Sequence, residues 1–273
     1  MAYLVKKVKT KHCVFVTRTK CFCYNPDASK KKRGVRMAST GESRAARNKR
    51  NAFLKRKYEI YNNFDIGDWW ITLTWKKEAL PGTADEAHKA LTAVLSKIRR
   101  KLAKSGIPFV YYIKTEASET IRPHHHLIIR NNFDVLNMLF DEWSNFGRIF
   151  DAQKIYSFSD GRLVKYFLYS EHKGLDYEKY SHSRNLQEPK VEKKIYPFQS
   201  FRETPKAPKG FKVVHLYNGY ADIDHHTYQE YELIPDSGED DEEDSGCLRT
   251  SGDGSILSSI GQNYPRPRLS SKG

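Results

Sequence analysis

Glu116, His124 and His126 have the side-chain types and the spacing of a divalent-metal site. They fall within FVYYIKTEASETIRPHHHLIIR, residues 109–130, which reads as two strands joined by a polar connection. The first strand, Phe109 to Glu116, is aromatic and β-branched; the second, His124 to Arg130, runs from three histidines into Leu-Ile-Ile. Strand side chains alternate between faces, so His124 and His126 point one way and His125 the other. Glu116 closes the partner strand and brings a carboxylate to the same face. Two imidazoles and one carboxylate leave positions open for water and substrate oxygens, a donor set suited to a divalent ion, Mg²⁺ or Mn²⁺, that touches phosphate. A histidine run also occurs as a solvated or fortuitous metal-binding tract. This one sits between a proline and an isoleucine-rich strand, near a core, where polar groups need partners.

A second group lies in DGRLVKYFLYSEHK, residues 160–173, whose pattern predicts a helix. Tyr166 and Lys173 are seven positions apart and share a face, whereas Tyr169 and Lys173 are four apart and within touching distance. A phenol beside a cation is a weak acid biased toward its phenolate.

The chain has 273 residues, a formal net charge of +14 and 38% hydrophobic residues, so it is long enough for one large or two small domains, with part of it unpacked. The charge points to a polyanionic partner. Residues 1–60 hold 18 basic against 3 acidic side chains, whereas Asp236 to Asp244 holds 7 acids and no base. No apolar run approaches the ~20 residues of a membrane span and the N-terminus lacks a signal-peptide core, so a cytoplasmic protein is expected. The four cysteines have no CxxC spacing and are expected as free thiols. A zinc site of Cys13, Cys21, Cys23 and His12 is the alternative to an ordinary N-terminal hairpin.

These groups need elements to position them. Residues 1–24 alternate well enough for one or two strands. SKKKRGVRMASTG follows as a solvated loop or a phosphate-gripping arm, with Lys30, Lys31, Lys32 and Arg33 as its contacts. A long basic helix from Glu42 to Asn63 should bury Ala46, Phe53, Leu54, Ile60 and Tyr61, and offer Arg44, Arg47, Arg50 and Arg56 to a phosphate backbone. DWWITLTW, residues 68–75, reads as a central strand. Thr83 and Glu86 form a capping box that opens a helix with Leu91, Val94, Leu95, Ile98 and Leu102 on its buried stripe, and Gly106 stops it. A further helix, from Asp134 to about Phe146, should bury Leu136, Leu139, Phe140 and Trp143 and lead into a strand over 147–156. KYSHSRNLQEP reads as an extended turn. Residues 195–234 hold weaker strand signals, and from Asp236 the composition is that of a disordered acidic tail.

The order of these pieces is an ITLTW strand (Ile71 to Trp75), a helix, a strand ending in Glu116, the HHH strand and a helix with Tyr and Lys. It resembles the HUH-type rolling-circle replication initiators of small single-stranded DNA phages and plasmids, over roughly residues 42–190. SRNLQEP, Ser183 to Pro189, looks like the segment that follows the tyrosine helix in that family. Two features differ from the family pattern. His125 stands where the middle residue is apolar, and YFLYSEHK places Tyr166 at the first tyrosine position, Tyr169 where a lysine is usual, Ser170 at the second tyrosine and Lys173 at the last lysine. The form with one nucleophile is thereby implied, Tyr166 matching best and Tyr169 remaining the fallback.

The resemblance implies an α+β fold: a five-stranded antiparallel sheet with flanking helices, related to the RNA-recognition (ferredoxin-like) fold. The chain then divides into basic N-terminal strands and arm (1–41), HUH endonuclease domain (42–190), an extension of it (191–234) and the tail (235–273). Also implied is a metal-dependent DNA endonuclease and strand transferase. Its tyrosine attacks a metal-bound phosphodiester of single-stranded origin DNA, leaving a 5′-phosphotyrosine and a free 3′-OH. No GxxxxGK[ST] sequence occurs, so unwinding and synthesis fall to a host helicase and polymerase. The reading from another class is a non-enzymatic single-stranded nucleic-acid-binding protein, whose sheet aromatics and basic flanks serve stacking and phosphate contact.

Overall fold

The computed structural model describes residues 2–21, 41–158, 167–168, 177–196, 201–221 and 226–236. Their order is β1 (Ala2–Lys9), β2 (Val14–Cys21), α1 (Gly41–Asn63), β3 (Trp69–Trp75), α2 (Ala84–Lys104), β4 (Tyr111–Ala117), β5 (His124–Ile129), α3 (Phe133–Trp143), β6 (Gly147–Lys154), β7 (Tyr177–His182), β8 (Lys190–Tyr196), β9 (Phe211–Ala221) and β10 (His226–Pro235). The fold is α+β, with two five-stranded antiparallel sheets ordered β6-β3-β5-β4-β7 and β8-β1-β2-β10-β9.

The β3–β7 sheet is the one legible in the sequence. One of its faces carries Ile71, Leu73, Ile113, Leu127 and Ile129, which pack under the α2 stripe and under Leu136, Leu139 and Trp143 of α3. The capping box that opens α2 is present, with Glu86 N donating to Thr83 Oγ1 and Thr83 N to Glu86 Oε2. Gly147 begins β6 where no side chain fits: a Cβ there would meet Thr74 O at 1.8 Å. The opposite face carries Tyr112 and Ile128, which pack on Ile60, Tyr61 and Phe64 of α1.

Against the other side of α1 lies the second sheet, through Phe15, Cys13 and Ile234. Its far face, with Val5, Val16, Tyr231 and Leu233, packs on Ala207 and Phe211. The helix α1 is therefore sandwiched between two sheets, which explains why its pattern departs from that of a surface helix. Lys57 is buried and paired with Glu232 of β10, while Phe53 and Leu54 are only half-buried.

Several expectations are corrected by this fold. The sequence implies one sheet and the described residues form two, because β1, β2 and the weak signals after residue 190 pair across almost the whole chain. The extended turn expected at 179–189 is in part a strand, since β7 pairs with β4 along its whole length. Phe140 is 46% exposed rather than buried. His12 is not a zinc ligand: it stacks on Phe158 at 4.0 Å and bonds Phe64 O at 2.7 Å through Nε2. Ala46, the loop 22–40 with Lys30, Lys31, Lys32 and Arg33, the positions Tyr166, Tyr169 and Lys173, and the tail from 237 lie outside the described residues.

Candidate metal centre

The register of the β3–β7 sheet sets its open face in rows, each taking one residue from every strand. Arg148, Thr74, His124, Glu116 and Glu178 form one row, and Asp151, Thr72, His126, Lys114 and Tyr180 the next. Glu116 thus stands between the two histidine positions, and its Oε2 lies 3.3 Å from His124 Nε2 and 3.3 Å from His126 Nε2. The three ligand atoms all fall within 4.8 Å of one another.

Neighbours hold the imidazoles by their other nitrogens. His124 Nδ1 lies 3.2 Å from Arg122 O. A carbonyl only accepts, so this nitrogen carries the proton and Nε2 of the neutral ring presents a lone pair to the carboxylate. His126 Nδ1 lies 3.3 Å from Thr72 Oγ1. The inward nitrogens and Oε2 are then acceptors converging on one point, an arrangement that a cation satisfies and that fits the two-nitrogen, one-oxygen donor set.

Lys114 supplies the balancing charge. Its side chain is fully buried, its Nζ pairs with Glu116 Oε1, and Glu178 Oε1 is 3.3 Å away. Burial alone would raise the Glu116 carboxyl, but hydrogen bonds from His124, His126 and Lys114 outweigh it and hold the group well below the usual carboxylate range. Burial pulls His126 down, against the hydrogen bond with Glu116, which favours its neutral, ligating form.

His125 belongs to the other face. Trp75 Nε1 donates to its Nε2 at 3.1 Å, its Nδ1–H reaches Thr115 Oγ1 at 2.8 Å, and Thr115 in turn donates to His88 Nδ1 at 2.7 Å. This fully partnered core histidine has its pKa lowered to about 3, first by burial.

Beside the triad, Tyr180 Oη hydrogen-bonds Glu178 at 2.8 Å and Leu168 O at 3.3 Å, and the Arg56 guanidinium covers its ring at 3.7 Å. Phe167 and Leu168 are helical and buried, with the Phe167 ring 5.8 Å from Tyr112.

Residues 68–184 match the family model of the ORF2-type replication-associated proteins. That family is one of rolling-circle replication initiators, and the match supports a replication protein of this general type. No curated protein and no solved structure gives a significant match. The matched span takes in β3 to β7 with α2 and α3, that is, every strand carrying the triad and its neighbours; α1 and the second sheet lie outside it.

The predicted site residues thus distribute unevenly. Glu116, His124 and His126 come together. Arg44 and Arg47 are exposed near the start of α1, whereas Arg50 pairs with Glu230 and Arg56 lies on Tyr180, both turned inward onto the protein. Lys114, Glu178 and Tyr180 are additions that the sequence motifs did not single out. Strand alternation from Glu116 finds Lys114, but the other two required knowing that residues 177–182 pair with β4. Among the described residues no helix is long and apolar enough to cross a membrane.

Proposed function

We propose that this protein initiates rolling-circle replication by nicking single-stranded origin DNA through a tyrosine. The observation that carries the reading is the convergence of Glu116, His124 and His126 on an open sheet face, where the buried helical pair Phe167–Leu168 also packs. That pair is bracketed in sequence by Tyr166 and Tyr169.

A divalent ion held by the three side chains supplies Lewis-acid polarisation of the scissile phosphate. The chain's own groups do the rest. Thr72 and the Arg122 carbonyl keep the imidazoles in the ligating orientation, and Lys114 keeps Glu116 ionised. The phenol of Tyr166 attacks phosphorus in line: the new O–P bond forms, the P–O3′ bond breaks, and the departing 3′-oxygen takes a proton from solvent. Lys173 lowers the cost of the phenolate. A 5′-phosphotyrosine and a free 3′-OH result, with a host helicase and polymerase to continue from that end. Residues 42–190 are the catalytic domain in this reading, working in the host cytoplasm.

Incubation with single-stranded origin DNA and Mn²⁺ tests the proposal. A nicked strand whose 3′ end a polymerase extends, with its 5′ end resistant to phosphatase and kinase until protease treatment, is the expected result. Tight binding without any strand cleavage would leave a nucleic-acid-binding module instead.

A further inference from the structure

The row that contains His124 and Glu116 runs, on its β6 side, into a groove of about 560 Å³ formed by β3, β6 and the β4–β5 connection. Its charge is one-sided: Lys76, Lys77, Arg122 and Arg148 line it, with Glu78 as the single acid among the described residues. His124 and Thr74 line it too, so the groove opens directly onto the metal centre.

Its aromatic wall is Phe150. The β3–β6 register steps from Leu73↔Ile149 to Thr72↔Asp151, which leaves Phe150 as the extra residue of a β-bulge. A bulge re-aims the side chain it carries. The flanking Ile149 and Ala152 pack toward the α2–α3 core, while Phe150 is left 65% exposed. The Arg148 guanidinium lies 6.0 Å from its ring centroid. Exposing a phenyl ring in a cationic groove contributes little to folding, and the combination is that of a stacking platform beside a phosphate contact.

We infer that this groove seats the single-stranded DNA next to the scissile phosphate, one base stacking on Phe150 and the adjoining phosphates contacting Arg148 and Arg122. The inference rests on the strand-nicking reading and adds to it where the substrate lies: on the β6 side of the triad. An apolar protein segment would suit Phe150 but not four cations, and a strand threading past His124 uses both. Stacking reads no hydrogen-bond pattern, so this contact serves any base, and origin recognition must come from elsewhere on the protein.

The test uses the full chain, loaded with Mn²⁺ and titrated with a short fluorescein-labelled oligothymidylate at raised salt, where other basic segments contribute less. Phe150→Ala should weaken binding about tenfold, and Phe150→Trp should keep it near wild type. Both should leave Mn²⁺ affinity and melting temperature unchanged, because the ring is exposed. Arg148→Gln should reduce the slope of log affinity against log salt by about 0.7. Phe150→Ala binding as tightly as wild type, in a protein that still nicks, overturns the groove alone. Wild-type protein that neither binds nor nicks single-stranded DNA overturns the nicking reading and the inference with it. A strong preference for oligouridylate would assign the groove to RNA and overturn it as well.

Discussion

His124, His125 and His126 are chemically identical and sit in different environments, which makes them an internal control for the metal centre. Alternation puts the outer two on the open face with Glu116 and the middle one among Trp75, Thr115 and Trp143. Replacing His124 or His126 with Ala should lower Mn²⁺ affinity by roughly a hundredfold or more, since ligands matter at least as much as their supporting neighbours. His125→Ala should leave Mn²⁺ affinity nearly intact and instead cost about 2–4 kcal/mol of stability, from the emptied volume and the orphaned Trp75 and Thr115 groups. Calorimetry for the metal and thermal melts for stability separate the two effects; equal loss of metal at all three positions would contradict the assignment. A further residue-scale test concerns Cys13, whose thiol burial pushes up to about 12. Thiolate is scarce at that value, so peptide mapping should find Cys13 unalkylated by iodoacetamide in the native protein at mildly alkaline pH, and modified once it is unfolded.

At the scale of elements, the triad is a consequence of register. The β4–β5 pairing sets Glu116 opposite His124 and Lys114 opposite His126, so a one-residue slip would send every one of these side chains into the α2–α3 core. That much was legible in the sequence, because alternation within a hairpin is local. The capping box and the stripe of α2 were legible for the same reason. The second sheet was not: β1 pairs with β8, and β2 with β10, over separations that no local pattern encodes. The role of Lys57 was hidden with it, because local pattern puts this lysine on a solvated cationic face and only the second sheet brings Glu232 over it. Tyr180 and Glu178 escaped because KYSHSR lacks the apolar alternation of a strand, and β7 is an edge strand held by its pairing with β4. The buried pair gives a test of how α1 is fixed. Lys57→Met strands a buried carboxylate and should cost about 3–5 kcal/mol, whereas Lys57→Met combined with Glu232→Leu should recover most of it. Denaturant melts of the two variants decide, and equal destabilisation by both would mean that the pair is not what couples α1 to β10.

Across the whole molecule, the charge distribution and the open sheet face describe one task. The basic excess lies in residues 1–60 and in the groove beside His124, and the acidic excess lies after Asp236. If Lys30, Lys31, Lys32 and Arg33 grip DNA phosphates, neutralising them should flatten the salt dependence of binding by about 0.7–0.9 in slope for each phosphate released. If the acidic tail competes for the same surfaces, truncation after Asp236 should tighten DNA binding. Neither outcome bears on the chemistry, which depends on a phenol reaching the phosphate at the triad. The most direct test is mass spectrometry of the peptide that remains joined to nucleotide after the Mn²⁺-loaded protein has reacted with single-stranded origin DNA and been digested. A phosphodiester on Tyr166 is expected, absent from Tyr166→Phe and retained in Tyr169→Phe. Modification of Tyr169 would exchange the two roles, and full nicking by a variant lacking both hydroxyls would contradict the tyrosine mechanism itself.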